Sequence, residues 1–432
     1  MPSLKIAVLG AGSFVFGPSV LKGVFIEQRL DNVELALVDV DREAVELMAG
    51  VGERLARETG LRVRVLAHTE RGPALDGADF VLSAVAQQLG RRHAMDQELI
   101  ARHAPKELPT EFGGVCGISY SLRQIALLGA IGADVLRFCP KAWFLNMANP
   151  LPRVCQALHE EGLRVAGFCS VALGGYGMLW QFLRGERLEY PWTGAREAWA
   201  MTMGGLNHFS WLLGLRDRRT NEDLMPDVRR CLADGRGLGQ PLTDLLARRT
   251  GFIPLAGDSH IRDFLAPTPV TPRGHEYWHG RTDERRERLE RLRAVGEGRA
   301  PWQELTVHES WEKPVDVVAA LARDHATEIP ALNLVNRGQI AELPEGVFVE
   351  TPCEAGGKGP APRRLKLPEE ILPLCRQTAE VTRAVVRAAR ERSRALLRKV
   401  AQLDPVIVDK KAGWIALQAC LEAHADVLPK YT

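Results

Sequence analysis

Leu4-Lys5-Ile6-Ala7-Val8-Leu9 runs straight into Gly10-Ala11-Gly12-Ser13-Phe14-Val15-Phe16, and a helix-like segment follows. An apolar strand that delivers two glycines to a helix N-terminus makes a phosphate cradle: backbone N–H groups point outward and no Cβ blocks a pyrophosphate. The third glycine of the full G-x-G-x-x-G pattern is replaced by Val15. The alternative for this stretch alone is an ordinary tight strand-to-helix turn. A second apolar run, Val33-Glu34-Leu35-Ala36-Leu37-Val38, ends in Asp39. A carboxylate there accepts hydrogen bonds from ribose hydroxyls and repels a 2′-phosphate, so the pattern favours NAD over NADP. The expected cofactor contacts are Gly10, Gly12, Ser13, Phe14 and Asp39, joined by Ala86 and Asn149 after later strands.

Outward from this unit, β-like and helical segments alternate. Strands are expected at 4–9, 33–39, 62–67, 80–85, 143–147 and 163–168, with helices such as 42–59 and 121–138 between them. Such alternation implies an α/β fold with a Rossmann-like, doubly wound parallel sheet, and ligands of such sheets sit at the carboxyl ends of the strands. Beyond residue 170 the periodicity turns helical (176–185, 221–249, 282–297), with apolar runs at 332–335 and 347–350 and two long closing helices near 368–402 and 405–427. The expected organisation is a nucleotide-binding domain over 1–170 and a mainly helical α+β domain over 171–432.

The 432 residues are 46% hydrophobic and 25% charged, with a net charge of +2. That is the make-up of an ordinary globular protein with no bulk field for nucleic acid or membrane. Basic clusters such as Arg285-Arg286-Glu287-Arg288 are interleaved with acids and read as solvated helix faces. No apolar run reaches the length needed to span a bilayer, and the first residues do not read as a leader. Eight cysteines without paired spacing suggest free thiols in a reducing cytoplasm.

Few residues carry recognisable chemistry. Cys169 follows a buried strand, and His208 lies in Gly204-Gly205-Leu206-Asn207-His208-Phe209. A thiolate and an imidazole can together hold a borderline divalent metal and leave open positions for substrate; each is equally at home as a core residue. Asn149-Pro150 could reach a ribose or a substrate hydroxyl, or simply form a turn. Asp258-Ser259-His260 offers a base and a positioning group, or only a helix cap. Glu111, in Thr110-Glu111-Phe112-Gly113-Gly114, taken by itself reads as a surface charge.

In combination these motifs resemble glycoside hydrolase family 4, glycosidases that use NAD and a divalent metal. The resemblance rests on Gly10–Phe16, Asn149-Pro150, Cys169, Gly205–Phe209 and the late stretch Asn336-Arg337-Gly338-Gln339-Ile340…Val349-Glu350-Thr351-Pro352. Two departures stand out. The family usually carries Cys-His, Cys-Asn or Cys-Asp where this chain has Cys169-Ser170, and of the family's glycine-rich stretch around Glu111 only that glutamate and some glycines survive. The Asp258/His260 segment is similar to that of members acting on unphosphorylated α-glycosides.

The resemblance implies transient oxidation at the third carbon of the sugar by NAD, deprotonation at the second, and elimination of the aglycone. It casts Cys169 and His208 as ligands of Mn²⁺, Asp258 as base, Glu111 as acid, and Asn149, His260 and Arg92 as substrate contacts. It also implies a homodimer or homotetramer acting on a small-molecule glycoside. The rival readings are an NAD-dependent hydroxy-acid dehydrogenase, whose nucleotide domain and Asn-Pro turn are similar, and a catalytically inactive NAD-binding regulatory protein.

Overall fold

The structure is a computed structural model that describes residues 4–273, 282–306 and 312–432. Its strands are β1 (Leu4–Leu9), β2 (Val33–Val38), β3 (Val63–His68), β4 (Phe80–Ser83), β5 (Trp143–Asn146), β6 (Arg164–Gly167), β7 (Trp199–Leu206), β8 (Phe209–Asp217), β9 (Thr327–Val335), β10 (Phe348–Gly356) and β11 (Gly359–Pro362). All belong to one sheet of order β3-β2-β1-β4-β5-β6-β9-β10-β7-β8, with β11 on β10. The first six are parallel. Their order reverses between β1 and β4, and the ligand crevice of a doubly wound sheet opens at the carboxyl ends beside that point.

Parallel strands covered on both faces read as continuous apolar runs, which is why β1, β2 and β4 to β6 lie where the sequence expects them; the edge strand β3 shows itself by alternation, with Val63 and Val65 buried and Arg64 exposed. In β1, Ala7 and Leu9 face a core formed with the Gly114–Phe138 and Leu151–Glu160 helices. Ile6 and Val8 face the opposite core, with the Phe16–Lys22, Arg42–Thr59 and Pro314–Arg323 helices. The helix expected over 121–138 begins seven residues earlier, at Gly114. Its 25 residues are long and apolar enough to cross a bilayer, contrary to the expectation that no such run exists. Most of its apolar stretch is buried inside the fold, so its composition answers to core packing.

The second half departs further. The hairpin β7–β8 was not expected, because Trp199-Ala200-Met201-Thr202-Met203-Gly204-Gly205-Leu206 has neither strict alternation nor β-branched enrichment. The expected helix over 221–249 is two, Met225–Ala233 and Pro241–Thr250, and the closing pair is three, Leu372–Glu391, Arg394–Leu403 and Lys410–Ala423. The sheet continues across the expected boundary at 170: Gly167 on β6 pairs with Asn333 on β9. The C-terminal helices return to the first half, where Val381, Val385, Leu397 and Leu417 share the core of the Gly114–Phe138 helix.

Candidate functional site

The glycine turn after β1 is built as its sequence suggests. The Gly10 and Ala11 amides donate to the Val38 carbonyl, and the Gly12 amide donates to Asp39 Oδ2 at 2.9 Å. The two ends of the motif are thereby tied together, with Asp39 half-buried at the crevice. A Cβ on Gly12 would stand 2.8 Å from Asp39 Oδ2. Ser13 Oγ accepts from the Phe16 amide at 3.3 Å and braces the helix start. The close helix–strand approach that a third glycine normally permits is made by Gly17, where a Cβ would lie 2.5 Å from the Ala11 carbonyl oxygen. That glycine was missed because it stands two residues past the pattern. The loop after β4 closes the other wall, with the Ala84 carbonyl against Gly10 and Ala86 exposed.

Glu111 and Asn149 meet. Asn149 Nδ2 donates to Glu111 Oε1 at 2.9 Å, joining the loop before the Gly114–Phe138 helix to the turn after β5. The Glu111 backbone is held by Asp263, whose Oδ2 accepts from the Glu111 and Phe112 amides at 2.8 and 3.0 Å. Gly113 permits this closeness, since a Cβ there would stand 2.0 Å from the Asp263 carbonyl oxygen. Desolvation pushes the Glu111 carboxyl up to about 7; the negative charge of Asp263 adds to this and the Asn149 hydrogen bond opposes it. Asp263 escaped the sequence reading because nothing local links it to a loop 152 positions earlier.

His208 sits at the tip of the β7–β8 hairpin with φ +60°, a conformation few non-glycine residues adopt and one that clusters at functional sites. Its ring is 4.5 Å from that of Phe112 and 4.7 Å from that of His260. The imidazole is buried, and neither nitrogen has a hydrogen-bond partner among the described residues. Burial, then the neighbouring His260, holds it well below the usual histidine range, hence neutral. Cys169 is also buried. Its thiol is pushed well above the ordinary range by burial first and then by Glu312 and Glu350, and a hydrogen bond from Asn207 pulls the other way. The Asn207 contact brings Cys169 to the residue next to His208.

Behind them Glu350, wholly buried, accepts from Ser210 Oγ at 2.6 Å, Asn333 Nδ2 at 2.9 Å and Asn207 Nδ2 at 3.4 Å. The Oδ1 atoms of Asn207 and Asn333 are buried without a partner. A neutral imidazole with two unused nitrogens beside a thiol is a donor set that fits a borderline divalent ion. Among the described residues no three His, Cys, Asp or Glu side chains are arranged to hold a metal ion, so with these two as ligands the remaining positions would fall to substrate or water.

Two expected site residues have other work. Asp258 does not face the crevice as a free base. Its carboxylate accepts from the Leu242 amide at 2.9 Å and from the Thr243 amide and hydroxyl at 2.8 Å, which caps the Pro241–Thr250 helix. Asp258→Ala is therefore expected to cost roughly 1–2 kcal/mol of stability, the worth of a lost cap, measured by urea unfolding. Lost turnover at unchanged stability would return Asp258 to the chemistry. Arg92 is likewise committed, with its guanidinium on Asp426 at 3.0 and 2.6 Å and 3.3 Å from His424 Nδ1. It anchors the C-terminal segment and offers no free fork to substrate. The late signature is mostly architectural: Asn336 Nδ2 donates to the carbonyls of Ile340, Leu343 and Pro344.

Residues 5–184 match the model described as family 4 glycosyl hydrolase, and 203–407 match that family's C-terminal domain. The chain is 29% identical over 391 residues to an α-glucosidase of Erwinia rhapontici, covering 82% of this chain and 83% of that one. It is 26% identical over 455 residues to an α-galactosidase of Bacillus subtilis, covering 99% of each. Among solved structures, a 6-phospho-α-glucosidase from gut microorganisms in complex with NAD and Mn²⁺ superposes with a TM-score of 0.77 at 21% identity, covering 100% of both chains. With both halves matched in order along most of its length, the chain belongs to the family 4 glycosyl hydrolases.

Proposed function

We propose that this enzyme hydrolyses α-glycosides of an unphosphorylated hexose or hexuronic acid through transient oxidation at the third carbon, deprotonation at the second and elimination of the aglycone. The observation that carries the reading is the juxtaposition of Glu111, held by Asn149, with the unpartnered imidazole of His208 across Phe112. When bound, NAD supplies a hydride acceptor, and a divalent metal, Mn²⁺ by likeness to the relatives, supplies Lewis-acid polarisation of adjacent sugar oxygens.

This chain's own residues do the rest. Gly10, Gly12, Ser13 and Phe14 seat the pyrophosphate end, and Asp39 selects a free 2′-hydroxyl. Cys169 and His208 hold the metal. Asn149 orients Glu111, which gives its proton to the departing glycosidic oxygen. With Asp258 occupied at the helix end, neutral His260, edge-on to His208, is the group placed to accept the proton from the second carbon.

The unphosphorylated substrate is supported by Ser170, whose amide and hydroxyl both lie 3.3 Å from Glu312 Oε1. A carboxylate beside the metal motif repels a sugar phosphate. All eight cysteines are buried free thiols, which suits the reducing cytoplasm we assign, as a homodimer or homotetramer.

Hydrolysis of a nitrophenyl α-glycoside with NAD⁺ and Mn²⁺ in heavy water is expected to leave deuterium on the second carbon of the released sugar, read by proton NMR. Full retention of the original proton would refute elimination. Direct displacement at the anomeric carbon never touches that position.

A further inference from the structure

Trp143 and Arg164 open β5 and β6, at the end of the sheet away from Asn149 and Cys169. Between them, the end of β9 and the β10–β11 hairpin lies a groove of about 670 Å³. That volume is in the range of small-molecule sites, about 300–1,000 Å³. Arg164, Arg337, Lys358 and Arg364 converge on it from three separate stretches of chain, and no Asp or Glu lines it. The Arg164 guanidinium is held in place, 4.5 Å over the Trp143 ring and bonded to the Lys141 carbonyl at 3.1 Å.

Nearby arginines are neutralised: Arg363 pairs with Glu328, and Arg390 with Glu160. Among the described residues the four groove cations have no such partner. In a chain of net charge +2 this is a local concentration of positive charge, and its self-repulsion falls when an anion enters. Leu163, Val165, Pro360 and Pro362 add an apolar wall between the charges. Guanidinium forks match phosphate oxygens in pairs, and the spread of four cations along one groove suits two anionic groups better than one.

We propose that this groove binds a small metabolite carrying two phosphate groups, at a site separate from the catalytic crevice. The test is calorimetric titration of the full-length protein with inorganic pyrophosphate. NAD⁺ is kept saturating so that the cofactor cradle is closed, and divalent metal is left out so that chelation cannot mimic binding. One saturable site is expected in 0.15 M salt, with inorganic phosphate at least tenfold weaker. In the Arg337→Ala, Lys358→Ala double variant, pyrophosphate affinity falls at least tenfold while NAD⁺ affinity stays as in the parent.

Absence of saturable binding, or equal binding by the double variant, overturns the proposal. Phosphate binding as tightly as pyrophosphate overturns the two-group reading. A parent oligomer that becomes monomeric in the double variant, seen by sedimentation, also overturns it, because the groove would then be a contact between copies. None of these outcomes depends on glycoside turnover, so failure here is distinct from failure of the proposed reaction.

Discussion

His208→Ala and Cys169→Ser are each expected to abolish glycoside turnover while leaving the fold intact. The loss should exceed the roughly 10- to 100-fold that follows removal of a mere outer-shell partner of a metal. His208 makes no hydrogen bond within the described structure, so deleting its imidazole removes no internal support apart from ring packing on Phe112 and His260. The parent should gain thermal stability on addition of Mn²⁺, since a ligand that binds only the native state stabilises it by mass action. Both variants should lose that gain with their circular dichroism unchanged. A His208→Ala protein that still turns over glycoside, or still responds fully to Mn²⁺, would show that the hairpin tip is structural.

Glu111→Gln is expected to lower turnover by about 10²–10⁴-fold, the usual contribution of a positioned proton donor. The loss should be smallest with a nitrophenolate leaving group, which needs little protonation. Glutamine can still accept the Asn149 hydrogen bond, so the local geometry survives. The pH dependence has a definite sign. The carboxyl is raised to about 7 in the folded chain, against an ordinary value of 4.5. In the acid role proposed for it, it works protonated, so activity is expected below about pH 7 and is expected to be lost as pH rises through that value. The folded state also holds this proton more tightly than the unfolded one, so Glu111 lowers stability as pH climbs from 4.5 to 7. Glu111→Gln should remove that decline, read as a flatter dependence of the urea midpoint on pH. An unchanged alkaline limb in Asp263→Asn, which removes the neighbouring negative charge, would mean that desolvation alone sets the value.

How much of this was legible beforehand follows from where each signal lies. β1, β2 and β4 to β6 are short apolar runs bounded by turn residues, as strands buried on both faces are, and β3 at the sheet edge alternates. β7 and β8 were hidden because their methionines, tryptophans and glycines carry no period, and the pairing Glu350 to Gly205 spans 145 positions. The cradle was legible because it is local; even Gly17, which completes it, stands beside the motif. Glu111 was found only through the family likeness, since what makes it unusual is a neighbour, Asp263, far along the chain. The cap that Asp258 makes was hidden for a related reason. A cap is normally sought on the residue's own helix, and this carboxylate closes one that begins 17 positions before it. Glu312 left no local trace, and Glu350 showed only as part of the family likeness: a buried carboxylate looks like any other until its partners are in view.

The loop that carries Glu111 is fastened by the last part of the chain. Asp404 Oδ2 accepts from the Gly114 amide across 290 positions, and Glu107 accepts from the Val408 and Asp409 amides. During synthesis the Glu111 loop emerges from the ribosome hundreds of residues before these clasps do. The loop that carries the proposed proton donor is therefore fixed only when the final helices dock. A chain released short of residue 404 would leave this loop without its fastening, and Val115 beside it without part of the core that closes over it.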